Sequence, residues 1–534
     1  MQEKQTATVA KTAGLLMLTM AISRVLGFMR DILISYKFGL ERVTDVYNAA
    51  FLVPDYLYYI LVGGALTAAF IPVFSQYVTT GQEKEGWKVV SIVFNLIMSL
   101  LLLGVILAAI FTPQLVRILV PKFDAMASKL TVDLTRIMLC QVIFISMAGF
   151  SMGVLHSHKK FLPPAIGSVT YSLGPILGGI FLVTPFEKLW PGHGIAGFSV
   201  GVVLGALTYF LVQVPALGRV GLEYHRSFDF RHPGVKKMFA LMVPILIGIS
   251  VSEFNVFVNF NLGSGLEDGA ITALRYAQRI MQVPISIFGI PVAVALFPTL
   301  SANFALGETD DFREHSSMGI RSVLFMCFPV AVGMAVLGVP FIRLMFEFGG
   351  EFGSEDTLLT AQILIFYCLS LAGYGVIHVL NRIYYALQDT LTPVIIGAVT
   401  IGMNILLSII LVRVMAQNGL ALAYSLAGIS NTVILLVFMK RKMGRMDGRR
   451  LLISTGKMVA ISAVMGVVVW LALRLLNQFF VPSSKLLQGV ELLIPTLLGI
   501  AVYAMLAKLW KMEELDQALA MVFKRRKKAA AQEG

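Results

Sequence analysis

Charge is scarce in this chain. Only 14% of its 534 residues are Asp, Glu, Lys or Arg, against roughly 25% in a soluble globular protein. Hydrophobic residues make up 57%, and the mean hydropathy is +0.81. That balance excludes a soluble domain and leaves a polytopic membrane protein. Cysteine is scarce too. Cys140, Cys327 and Cys368 are spaced for neither a disulfide framework nor a metal, and all fall in predicted spans, where they read as small buried hydrophobes. The seven histidines contain no HExxH-type pair. A Walker loop, a soluble nucleotide domain and a nucleophile motif are also missing. No metal, cofactor or catalytic residue is therefore expected, and the chain is not read as an enzyme. Any work it performs is not driven by its own ATP hydrolysis.

What is present is a series of stretches of about 20 apolar residues, the length that crosses a bilayer as a helix. They lie near 10–36, 45–78, 89–112, 131–155, 162–184, 194–216, 236–262, 270–300, 318–345, 358–381, 391–412, 418–439, 456–477 and 487–509. The expected fold is all-α, with fourteen transmembrane helices. The first stretch has no small-residue cleavage site and is too long for a signal peptide, so it reads as a retained span.

The formal charge of +13 is concentrated in alternate loops. Lys159-Lys160, Arg219 to Lys237, Lys440 to Arg450 and Lys524 to Lys528 fall on one side, whereas Gly263 to Gly269 and Glu347 to Asp356 carry acids and no base. The positive-inside rule then places both termini in the cytoplasm. The basic tail, residues 511–534, reads as a topology and anionic-lipid signal rather than a nucleic-acid site.

The chain also repeats itself. Pro72-Val73-Phe74-Ser75 with Gly81 matches Pro298-Thr299-Leu300-Ser301 with Gly307, an offset of 298 − 72 = 226. Gly153-Val154-Leu155-His156 matches Gly375-Val376-Ile377-His378, an offset of 375 − 153 = 222. The matches close equivalent spans, which predicts two six-helix lobes of parallel topology. The lobes are residues 1–219 and 220–445. Residues 446–510 then form an accessory helix pair outside the repeat.

Against this apolar background, Ser23-Arg24-Val25-Leu26-Gly27-Phe28-Met29-Arg30-Asp31 stands in the first span. A charge at mid-bilayer costs from about 3 to more than 10 kcal/mol. At helical spacing Ser23, Arg24, Gly27, Arg30 and Asp31 share one third of the surface, so this face meets something anionic or wet. Asp31 either joins that contact or holds Arg24 or Arg30 in place. The second span adds Asp45, Asn48, Asp55 and Tyr59 on one face, with snorkelling to water as the alternative for Asp45. The eighth adds Arg275, Gln278, Arg279 and Gln282. The arginines of the first and eighth spans come from opposite halves and are expected to converge on a central cleft. Arginine suits a phosphate there, because its planar fork binds bidentately and stays charged when desolvated. Glu253, with Asn255 and Asn259 on the seventh span, and Asn404 and Ser408 on the eleventh, form either a candidate ion site or ordinary interhelical hydrogen bonds. Pro54, Pro284 and Pro291 are expected to kink their helices.

The first-span motif, followed by Thr44-Asp45, resembles the MurJ/MviN family, the lipid II flippases of the multidrug/oligosaccharidyl-lipid/polysaccharide exporter superfamily. The likeness continues at Pro54, Gly64-Ala65, Ala69 to Pro72, Ala277 to Pro284 and Gly289 to Ser301. It implies a bacterial cell-membrane protein whose cavity arginines, here Arg24, Arg30 and Arg279 with Asp31 in support, meet the diphosphate of an undecaprenyl-linked peptidoglycan precursor. Ser23, Asp45 and Gln282 complete the candidate substrate-binding set. The resemblance also implies a lipid-tail groove on roughly Lys457 to Lys508, and cell-wall synthesis or division machinery as candidate partners. Two departures from the family stand out. Tyr58 stands where many members carry a cavity arginine, and Asn259 and Ser408 stand where acids of a sodium site are expected. Sodium or the membrane potential is the candidate energy source.

The expected function is thus translocation of a lipid-linked diphosphate head group by alternating access of two lobes. A flippase for another polyprenyl-linked glycan fits the same cationic cleft. A cation-coupled drug antiporter would want acids in the cavity, and a glycosyltransferase would want catalytic carboxylates and a large outer loop.

Overall fold

The computed structural model describes residues 2–63, 69–444, 448–479, 482 and 484–516. The Gly64-Ala65 element of the family likeness and the basic tail at Lys524 to Lys528 lie outside them. The described residues contain helices and no strand, and they divide by contacts into two compact units, Met1–Thr272 and Ala273–Gly534.

The first unit holds α1 (Gln2–Phe38), α2 (Arg42–Ala50), α3 (Leu52–Tyr58), α4 (Ile71–Thr79), α5 (Glu83–Leu119), α6 (Ala125–Ser157), α7 (Leu162–Phe181), α8 (Val183–Leu189), α9 (Ala196–Arg219) and α10 (Pro233–Gly263). α11 (Ala270–Pro284) leads into the second unit, which continues with α12 (Ile290–Leu306), α13 (Thr309–Val336), α14 (Gly338–Phe346), α15 (Ser354–Cys368), α16 (Leu371–Ala386), α17 (Leu391–Met443), α18 (Gly448–Phe479) and α19 (Lys485–Leu509). In their described residues, the fourteen expected stretches fall on this helical structure. Among the described residues eight helices are long and apolar enough to cross a membrane, or up to eleven if each bent pair is one span. One of the eight, α17, carries two of the expected stretches and turns between them at Ala416, with φ 48° and ψ −129°.

Proline breaks the second and eighth spans, as its missing N–H requires. Pro54 lies in the first turn of α3, Pro284 ends α11 and Pro291 opens α12. A π-helical turn follows each break, Tyr59–Gly63 in one unit and Ile285–Gly289 in the other. They are 285 − 59 = 226 residues apart, the offset that separates Pro72 from Pro298. The repeat is therefore written in local backbone geometry as well as in residue identity.

Small residues set the closest packing in the first unit. Gly174 and Gly178 on α7 face Gly197, Gly201 and Gly205 on α9, and a Cβ on Gly178 would stand 2.3 Å from the Gly197 carbonyl oxygen. Such stripes let membrane helices approach backbone to backbone. In the second unit α18 and α19 pack on α13 around Phe325, Met458, Ile461, Met465 and Val469, and Tyr503 donates to the Phe325 carbonyl at 2.9 Å. Cys327 and Cys368 are buried as expected, but Cys140 is exposed. It lies on an α6 face that no described helix covers, and in a membrane span such a face meets lipid.

Loop contacts follow the odd–even alternation of spans within each unit. Glu83 pairs with His158 at 2.9 Å and Glu85 with His232 at 2.8 Å. At the other helix ends, Arg42 donates to the Leu266 carbonyl at 3.1 Å and Asn261 to that of Ile118 at 2.9 Å. The second unit joins Asp389 to Lys442 at 2.7 Å, and Arg313 donates to the Met443 carbonyl.

Candidate functional site

α1 carries its polar residues on one face, and each meets a different environment. Ser23 shares a hydrogen bond with Ser168 of α7, Oγ to Oγ at 3.0 Å. Arg30 is half-buried and donates from Nε at 3.1 Å and Nη2 at 2.9 Å to a single Asp31 oxygen. Asp31 is only 3% exposed, so its charge is compensated by the neighbouring guanidinium. Arg24 is exposed, and no hydrogen bond or ion pair engages it among the described residues. The face therefore presents one open guanidinium and one that its own helix orients. Both keep donors able to reach a phosphate, and Arg30 has little orientational freedom left to lose on binding.

Other polar groups of the first unit surround this face. The Tyr171 hydroxyl of α7 donates to Gln141 Oε1 of α6 at 3.2 Å. Arg30, Tyr47, Asp55 and Tyr59 are its charged and phenolic neighbours. Tyr58, which replaces the family arginine, packs its ring against the apolar core and lies 5.4 Å from the Tyr59 ring. No cation takes the place of that arginine at residue 58.

Asp45 is fully buried and does not snorkel to water. One carboxylate oxygen accepts from the Gly269 backbone N–H at 2.9 Å. The other accepts from the Thr272 N–H and hydroxyl, each at 2.8 Å. It therefore caps the first turn of α11, satisfying amides that a helix start leaves unpaired. Arg42 adds its charge 3.9 Å away, and Asn48 donates to the Thr272 hydroxyl at 2.9 Å. Sequence reading placed Asp45 and Asn48 on one face correctly. It missed Arg42, Gly269 and Thr272, which complete the cap.

In the second unit, α11 carries Arg275, Gln278, Arg279 and Gln282. The two arginines are half-buried and neither is free of partners, whereas Gln282 is exposed. Gln278 hydrogen-bonds Tyr424, whose ring stacks on Tyr374 at 4.7 Å and meets Tyr367 edge-on at 5.3 Å. These three tyrosines were not singled out from the sequence, because their spacing along α15, α16 and α17 gives no common local pattern.

The candidate ion residues are divided. Glu253 and Asn259 lie on α10 in the first unit, Asn404 and Ser408 on α17 in the second. Asn259 donates to Asn255, and Glu253 takes no part in that pair. Asn404 and Ser408 are buried, and their side-chain polar atoms have no hydrogen-bond partner among the described residues. Among the described residues, no cluster of three or more His, Cys, Asp or Glu is placed to hold a metal.

This architecture has known counterparts. A solved structure of "Lipid II flippase MurJ, inward closed conformation" superposes with a TM-score of 0.77 at 26% identity, covering 93% of this chain and 98% of that one. An inward-facing multidrug resistance MATE family transporter of the MOP superfamily shares the fold, with a TM-score of 0.64 at 13% identity over 81% of this chain and 99% of that one. A probable lipid II flippase MurJ of Rhizobium tropici is 30% identical, covering 91% of each chain. A counterpart in Bdellovibrio bacteriovorus is 29% identical, over 95% of this chain and 96% of that one. The family model described as lipid II flippase MurJ matches residues 34–491, and this chain belongs to that family.

Proposed function

We propose that this chain is a lipid II flippase of the cell membrane. It moves the diphosphate-sugar-peptide head group from the cytoplasmic to the outer leaflet. The observation that carries the substrate assignment is the α1 face, where Arg24 has no partner among the described residues and Arg30 is held side-on by Asp31. Two permanent cations there offset the hydration that a diphosphate loses on leaving water. No covalent step is needed. Alternating exposure of these arginines to the two membrane faces is sufficient, provided that binding stays moderate in both states. α18 and α19 guide the polyprenyl tail, and sodium or the membrane potential supplies the bias. Asp45 serves the reading indirectly, by fixing where α11 begins.

Complementation of a strain depleted of its own lipid II flippase tests this directly. Rescue of growth, together with head-group translocation by the purified chain in liposomes, is the expected result. Expression in the membrane without rescue would transfer the cationic face to another polyprenyl-linked glycan.

A further inference from the structure

α10 carries a carboxylate that the flippase reading does not use. Glu253 is the twenty-first residue of Pro233–Gly263 and half-buried, and no hydrogen bond or ion pair holds it among the described residues. It forms part of the wall of two adjoining cavities. One, of about 580 Å³, is a groove between α3, α5 and α10 lined by apolar side chains such as Leu57, Leu107, Phe111 and Phe257. The other, of about 470 Å³, is lined by Ser252 and Tyr59 together with Glu253. No Lys, Arg or His lines either space.

The larger volume lies within the roughly 300–1,000 Å³ of small-ligand sites, whose usual design is an apolar lining with a few placed polar groups. An uncompensated carboxylate in a membrane span is costly and marks a functional site whose counter-charge has to be identified. Here none is supplied among the described residues, so the compensating cation comes from the ligand. An ammonium presents three donors. Glu253 would take one and neutralise the charge, and Ser252 and Tyr59 line the same space. A phosphate or carboxylate would be repelled, which separates this site from the arginine face of α1.

We propose that the groove is a binding site for a lipophilic cation, an amphiphile whose protonated amine pairs with Glu253 and whose alkyl chain lies along Leu107, Phe111 and Phe257. The site stands whether or not lipid II is the transported molecule.

The full chain in phosphatidylcholine nanodiscs would be titrated with n-dodecylamine, 1-dodecanol and dodecanoate at low micromolar concentration, following the thermal midpoint. Dodecylamine should raise it, and dodecanol and dodecanoate should not. Glu253→Gln should weaken dodecylamine binding about tenfold, the loss of about 1.4 kcal/mol, and Glu253→Asp should retain part of it. Equal stabilisation of the wild type by amine and alcohol would overturn the site, and so would a Glu253→Gln protein with the full amine response. The wild-type ligand series decides the matter by itself if Glu253→Gln fails to insert.

Discussion

Asp45 and Thr272 stand 227 residues apart in sequence and are joined by two hydrogen bonds of 2.8 Å, one from the Thr272 amide and one from its hydroxyl. With the third bond from Gly269 they bury a carboxylate completely without leaving it unsatisfied. The charge thereby has a structural use, fixing the start of the helix that carries Arg279.

Asp45→Ala should consequently destabilise the protein by about 2–4 kcal/mol, because it leaves three buried donors without an acceptor. Asp45→Asn keeps one acceptor oxygen and should lose less. Thermal unfolding in detergent or nanodiscs reads the difference. An Asp45→Ala protein that unfolds like the wild type yet fails to transport would instead make Asp45 a substrate contact.

The arginines should behave in the opposite way. Arg24→Ala and Arg279→Ala should fold and insert normally but lose translocation, since truncating a hydrogen-bonded charge partner costs about 2–5 kcal/mol. The lysine replacements should fall between, keeping the charge but losing the fork. Arg474 is exposed and lies over the Trp470 ring at 5.4 Å, and its alanine variant should be tolerated. Full activity in both Arg24→Ala and Arg279→Ala proteins would end the mechanism based on arginine contacts to the diphosphate.

Asp31→Asn should mimic a milder version of Arg24→Ala. It removes the acceptor charge that holds Arg30 side-on, so Arg30 regains freedom that binding must then restrict. The expected signature is weaker substrate affinity with an unchanged unfolding midpoint. A lowered midpoint with normal affinity would make the pair purely structural.

Acid should loosen the second unit through Asp389. Partial burial alone would raise its pKa, but hydrogen bonds from Lys442 and from the Thr392 amide and hydroxyl outweigh that and hold it at about 2. A depressed carboxylate contributes stability that is complete above its ordinary value, near 4, and lost as pH falls toward 2. Asp389→Asn should lower the midpoint by about 1–2 °C at pH 7, roughly the effect of 1 kcal/mol, and flatten its fall between pH 4 and 2. A pH profile parallel to the wild type would assign the acid sensitivity elsewhere.

Topology is testable without function. Single cysteines in Arg219–Lys237 and Lys440–Arg450 should resist a membrane-impermeant maleimide applied to intact cells. Those in Gly263–Gly269 and Glu347–Asp356 should react. Labelling of the basic loops from outside would reverse both the orientation and the direction of transport.

The sequence by itself determined what depends on neighbours along one chain. Apolar runs long enough for a bilayer have to become helices, because no water is present to satisfy their amides. Helical periodicity put Arg24, Arg30 and Asp31 on one face, and proline marked the breaks at Pro54 and Pro284. The 226-residue repeat reappeared as two π-helical turns for the same local reason. Only the tertiary structure decided how each polar group is paired. Asp45 looked like a cavity residue until Gly269 and Thr272 folded over it. Cys140 looked buried until α6 turned that face outward. Glu253 looked like a partner of Asn259, yet a spacing of six residues sets the two on different faces of α10. A helix face is set by spacing along one chain, but what it meets is set by packing against segments more than a hundred residues away.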